Sequence, residues 1–159
     1  MNDPLFDADD DAATPLAPDE RMQLVPSYVT VRAQLNDAEQ RNITEADLWA
    51  FARQRDVLDV GFLRRLHKRM FGRVWTWAGA IRTSERNIGV PPLQIGVELK
   101  TLLDDAAYWI DNETFPPDEI ALRFHHRLVF IHPFANGNGR HARLAADLLA
   151  VRLGRPRFS

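Results

Sequence analysis

The chain has 159 residues, with 20 Lys and Arg against 22 Asp and Glu, a net charge of −2 and no cysteine. The near balance, without a Lys/Arg stripe, gives no footing for a nucleic-acid surface, and the missing cysteines exclude a disulfide framework and a thiolate metal site. No apolar run approaches the roughly 18 residues of a membrane span, and the acidic start MNDPLFDADDDAATPLAPDE lacks the basic-then-apolar order of a signal peptide, so one cytoplasmic domain is expected.

Residues 1–19 mix Asp, Ala and Pro and are expected to form a flexible acidic tail ahead of a domain over 20–159. A first helix is expected over 27–41, and Thr44 is an N-cap for a second running to about Arg55. Phe62, Leu63, Leu66, Met70 and Phe71 recur at three and four, which predicts a third, amphipathic helix. The stretch VWTWAGAIRTSERNIGV, 74–90, breaks that period and reads as a short hairpin or ordered loop. In it Trp75 and Trp77 alternate, so one is expected to pack inward. After Pro91 and Pro92, the residues Ile95, Leu99, Leu102, Leu103, Ala106 and Trp109 share one side of a long helix ending near Asn112. Another helix, about 118–130, is stopped by Pro133, and a last one runs from Asn138 to Leu153 with Gly154 as its stop. The sum is a mostly α domain with one small β excursion.

The turn between the last two helices carries the chemistry. IHPFANGNGR, 131–140, places two glycines around a small polar residue just before a helix start. Such a turn tolerates unusual dihedrals and gathers free N–H groups where the helix dipole favours an anion, above all phosphate. Arg140 and Arg143, three apart, share a face beside it, and a guanidinium fork suits phosphate oxygens. His132, at the end of the preceding helix, can take a proton from an attacking hydroxyl. Phe134 is expected in the core and Pro133 rigidifies the corner. Two bland readings compete with this one: a glycine cap with surface arginines, and a structural histidine.

Residues 132–143, HPFANGNGRHAR, resemble the signature of Fic-domain (Fic/Doc) proteins: His-Pro-Phe, any residue, Asp or Glu, Gly-Asn-Gly-Arg, two variable residues, Arg. FLRRLHKRMFGRVWTWAGAIR, 62–82, is similar to the Fic segment that leads into the target-docking flap, and the likeness covers roughly residues 27–155. TPLAPDE and QLNDAEQRNI bring the chain closer still to the Fic proteins called mobile mystery protein B, which are encoded beside a helix-turn-helix partner. The resemblance implies an all-α Fic fold, a helical bundle with a short β-hairpin flap. It also implies transfer of AMP from ATP to a Ser, Thr or Tyr hydroxyl of a target protein. His132 is then the general base. Gly137, Asn138 and Gly139 form the anion hole, Arg140 and Arg143 hold the outer phosphates, and Mg²⁺ bridges phosphate oxygens. The flap, about 83–90 with Asn87, Ile88 and Gly89 at its tip, pairs with the target strand.

One position departs from the signature: Asn136 stands where the family has the acidic residue that helps hold Mg²⁺. An amide carbonyl can meet a hard cation, but without charge. Weaker metal binding and slower catalysis are expected, and two rival readings stay open: a Fic-fold transferase of another nucleotide or phosphate group, and an impaired nucleotide- or partner-binding module. No Ser or Thr is followed by Glu four positions later, so the inhibitory motif common in Fic proteins is missing. A separate inhibitory or helix-turn-helix chain is the alternative, with neither nucleic acid nor membrane as a direct partner. Glu39 is expected to face solvent rather than to serve as that inhibitory glutamate, His125 and His126 to pack and bond in the core, and His67 to be structural. His141 is a candidate for lining the nucleotide pocket, and Arg82 for touching target or nucleotide.

Overall fold

A computed structural model describes residues 15–85 and 88–159. Among them the helices are α1 (Pro18–Met22), α2 (Arg32–Phe51), α3 (Val60–Phe71), α4 (Ile95–Asp111), α5 (Pro117–Ile131) and α6 (Asn138–Arg152), with a short 3-10 turn over Pro92–Gln94. None is long and apolar enough to cross a membrane. Of the expected tail, residues 1–14 lie outside the described residues. Leu16 joins the core, and its N–H donates to the Thr30 carbonyl at 3.0 Å.

Sequence explains most boundaries. The Asp59 carboxylate accepts the Phe62 N–H at 2.9 Å and caps α3, a contact worth about 1 kcal/mol. The third predicted helix thus starts two residues earlier than its apolar period, and its whole stripe (Phe62, Leu63, Leu66, Met70, Phe71) is buried. Pro117 occupies the first turn of α5, where a missing N–H costs nothing, and Asp118 and Glu119 suit the positive end of its dipole. Gly154, at φ 83°, ends α6 in the left-handed region.

The two helices expected over 27–41 and 44–55 are one. Inside α2 the Thr44 hydroxyl donates to the Gln40 carbonyl four residues back, at 2.9 Å, instead of capping a new start. A threonine does this inside a helix when no Gly or Pro breaks it. The true start is marked by Gln34, whose side-chain oxygen accepts the N–H groups of Thr30 and Val31 at 2.9 and 3.4 Å.

The segment 74–90 is an ordered loop among the described residues and does not pair with itself as a hairpin. Its extended residues pair elsewhere: Trp75 bridges Leu24, and Ile81 bridges Phe134. Trp75 is the inward member of the alternating pair; it stacks on the half-buried Trp77 with ring centroids 5.3 Å apart.

α6 is the central element, packed on α5, α3 and α2. Ala142, Ala145, Ala146 and Ala150 are buried with Leu144, Leu148 and Leu149, so small side chains let several helices approach at once. α2 packs on α3, and α4 on α5. The N-terminal tip of α6 therefore belongs to a helix packed on three others.

Candidate active site

α5 ends at His132, which adopts φ 55° and ψ 62°. A left-handed non-glycine residue costs roughly 1–2 kcal/mol, and such conformations concentrate at functional sites. The chain reverses there and re-enters a helix six residues later. Within that turn Phe134 is buried, and both main-chain atoms are held by Asn138: the Phe134 N–H donates to its side-chain oxygen, and its NH₂ donates to the Phe134 carbonyl, each at 2.9 Å. Asn138 was expected among the nucleotide contacts. Its side chain is turned back into the turn, and what it offers outward is its main-chain N–H.

Gly137 is required twice over. Its φ is 76°, and a Cβ there would stand 2.5 Å from the Phe71 ring. No side chain caps the N-terminus of α6, so by helix geometry the leading N–H groups at Asn138, Gly139 and Arg140 have no partner within the helix. A Cβ on Gly139 would meet nothing within 4 Å. The tip is thus open, donor-rich and at the positive end of a dipole, which is what an anion needs.

The two arginines already have partners. Arg140 Nη2 lies 3.4 Å from a Glu39 carboxylate oxygen, and its guanidinium sits 4.9 Å from the centre of the Phe71 ring. Glu39 was expected to face solvent, yet it is 5% exposed and also accepts the Trp75 indole N–H at 3.1 Å. Arg143 donates to the Phe158 carbonyl at 2.6 Å, and its Nε is 3.6 Å from Asp147. The segment after α6 lies along this face, tied down by Arg157 on Asp47 at 2.8 Å and by the Phe158 N–H on Asp147 at 3.0 Å. A cleft of about 300 Å³ opens beside both arginines, lined also by Gln40, Met70, Gly139 and Asp47. A larger one, about 450 Å³, lies between the ends of α2 and α6, against Phe51, Arg55 and Arg152, and touches none of the motif.

Beneath the turn lies His67, fully buried on α3. Its Nδ1 accepts the Gly79 N–H and its Nε2 faces the Asn136 carbonyl, both at 2.9 Å. An Nδ1 that accepts fixes the tautomer, so Nε2 carries the proton and donates. Burial, with the Arg140 charge adding to it, pushes His67 down to about 4, which keeps it neutral. Its ring stacks on Phe134 with centroids 3.8 Å apart. This neutral imidazole joins the chain at Gly79 to the turn at Asn136.

His141 is not a pocket residue. It is fully buried, its Nε2 lies 2.8 Å from the Leu63 carbonyl, and burial pushes it down to about 3. His125 is half-buried and His126 exposed, so neither belongs to the core as expected. Asn136 is exposed, and its side-chain oxygen accepts the Gly137 N–H at 2.7 Å. In the flap, Asn87 lies outside the described residues, Ile88 is 63% exposed, and Gly89 presses on His132. Arg82 is 4% exposed and bonded to main-chain carbonyls.

Sequence reasoning placed His67 in the structural class without finding its bonds. Its position four after Leu63 and four before Phe71 signalled burial, but both partners are main-chain atoms that no pattern reveals. For Glu39 position overrides charge: it is four after Leu35 and three before Asn42, on the buried side of α2.

A family model described as "Fic: Fic/DOC family" matches residues 57–150. Protein adenylyltransferase fic-1 of Caenorhabditis elegans is 34% identical over 113 residues, covering 66% of this chain and 22% of that protein. Protein adenylyltransferase Fic of Nematostella vectensis is 35% identical over 95 residues, 57% of this chain and 22% of that protein. The chain thus spans about a fifth of the length of these relatives. Among solved structures, BepC of Bartonella tribocorum with bound AMPPNP superposes with a TM-score of 0.67 at 19% identity, covering 87% of this chain and 80% of that one. A Bartonella quintana Fic domain with bound ADP gives 0.65 at 21% identity, covering 80% and 70%.

Proposed function

Because the chain belongs to the Fic/DOC family, we propose that it transfers AMP from ATP to a Ser, Thr or Tyr hydroxyl of a target protein. His132 takes the hydroxyl proton as the oxygen attacks the α-phosphorus. The bond to the pyrophosphate oxygen breaks, and pyrophosphate leaves. The N–H groups at the tip of α6 hold phosphate oxygens, joined by Arg140 and Arg143. Hydrogen bonds to charged groups contribute roughly 1.5–3 kcal/mol each, so a few of them hold a polyphosphate. Arg143 gives one of its five N–H groups to the Phe158 carbonyl. The flap around Ile88 and Gly89 seats the target beside His132.

The observation that carries this reading is one turn with two ends: a left-handed histidine closing α5, and an uncapped helix start whose glycine has no room for a side chain. The curated relatives named protein adenylyltransferase supply the reaction type.

Magnesium enters only as a companion of the nucleotide. Among the described residues no group of three or more His, Cys, Asp or Glu could hold a metal, and the Asn136 oxygen already accepts a main-chain N–H. The described residues do not fit a metal site of the chain's own. The same observation favours a second reading, a nucleotide-binding module that transfers nothing. A separate inhibitory or helix-turn-helix chain belongs to the proposal as well, as does a cytoplasmic setting.

The test is incubation with α-labelled ATP, magnesium and host lysate, beside a His132→Ala control. Labelled bands absent from the control support the transfer, and intact mass of a labelled target separates AMP from other groups. Calorimetric ATP binding with no band in either sample would leave the module reading standing.

A further inference from the structure

Arg82 is deep for a guanidinium, 4% exposed. Its Nε donates to the His132 carbonyl. Its Nη2 donates to the carbonyls of Val90 and, at 3.3 Å, Ile131. Its Nη1 donates to that of Ser84 at 2.9 Å. The main chain runs alongside: the Arg82 N–H donates to Pro133 O at 2.9 Å, and the Val90 N–H to Ile131 O at 3.3 Å.

These four carbonyls belong to two places. Ile131 and His132 close α5, where helix geometry leaves oxygens without partners. Ser84 and Val90 stand at the two ends of the flap. Gly89, at φ 95°, comes so close that a Cβ would stand 2.7 Å from both Arg82 Nη2 and His132 Cβ. A planar fork with five N–H groups reaches several carbonyls at once, whereas a lysine ammonium is a single point.

We propose that Arg82 is a positioning residue of the transfer reaction: it fastens both ends of the flap to the main chain of His132, so that the seated target and the imidazole share one frame. The inference rests on the AMP-transfer reading for its kinetic consequence, and on geometry alone for the joint. Holding reacting groups in register matters because an error near 1 Å costs on the order of a hundredfold in rate.

The joint is tested without activity by amide exchange. Arg82→Met is expected to raise exchange at Val90 and His132 by about tenfold or more, while Leu149 in α6 keeps its protection. Unchanged exchange at Val90 and His132 overturns the proposal whether or not the protein transfers AMP. Where wild type labels a target and His132→Ala does not, kinetics follow. Arg82→Met is expected to lower kcat by roughly 30- to 100-fold and to raise the target KM, with the ATP Kd within about twofold. Arg82→Lys is expected to recover part of kcat. A folded Arg82→Met with kcat within about threefold of wild type overturns the proposal. Should Arg82→Met fail to fold, Gly89→Ala drives a methyl into the same joint from the flap side. It must show both signatures, and wild-type exchange and kinetics there count against the idea.

Discussion

Gly137 and Gly139 flank the same asparagine yet answer to different constraints. At Gly137 a side chain meets the Phe71 ring and a left-handed φ, so Gly137→Ala is expected to destabilise the fold by about 2–5 kcal/mol in urea titration. At Gly139 a side chain meets open space on a helix, and Gly139→Ala is expected to be neutral or stabilising by up to ~1 kcal/mol. Equal effects at the two positions would remove the argument that only the first glycine is demanded by packing. The buried histidines make a second residue-scale prediction. His67 and His141 are pushed down to about 4 and about 3, below the ordinary value of 6.5. Each is neutral when folded and protonates more readily when unfolded. Their stabilising contribution is therefore full above pH 6.5 and is lost as pH falls toward 4 and then 3, on the order of 3 kcal/mol per site. Acid unfolding should begin in that window, and His67→Gln should flatten its upper part. A flat stability profile from pH 6.5 to 4 contradicts it. At this scale the sequence was legible where chemistry is local: His132, Gly137 and the arginines lie within twelve residues. It was illegible where side chains bond to distant main chain, as His67 does to Asn136 and Arg82 to Ile131 and Val90.

The elements deliver those residues to one place. α2 supplies Glu39, α3 His67, the C-cap of α5 His132 and α6 its uncapped N-terminus. The Glu39 carboxylate sits against Arg140 and subtracts from the positive potential that phosphates would feel. Glu39→Gln keeps the shape and removes the charge, so ATP affinity by calorimetry should rise about three- to tenfold, equivalent to roughly 0.7–1.4 kcal/mol. Unchanged or weaker binding would mean that Glu39 mainly orients Arg140. Periodicity gave α3, α4 and α5 nearly their observed lengths because each has one apolar face, whereas α6, buried on several sides, was bounded by its start and stop signals. It failed in α2, since Thr44 can cap a helix or bond within one, and only the absence of a breaker decides. Over 74–90 it left a hairpin and an ordered loop both open, and the loop is what forms among the described residues, because strand-like residues there find partners in Leu24 and Phe134, far along the chain.

For the whole molecule, the fold matters because it packs α6 on three other helices. A helix packed on α2, α3 and α5 presents its uncapped start near the C-terminal end of α5, where Gly89 and Val90 also come close. Family membership was legible in HPFANGNGR; the occupied state of both arginines was not, since Glu39 and Phe158 reach them only through tertiary packing. The central claim is that this tip, and not the larger cleft at the far ends of α2 and α6, receives the nucleotide. Titrating ATP into isotopically labelled protein while following main-chain amides tests it directly. The account predicts saturable shifts at Asn138, Gly139 and Arg140, with the His132 ring signals moving in step. Shifts confined to Arg53, Arg55 and Arg152, with the tip of α6 unmoved, would contradict it.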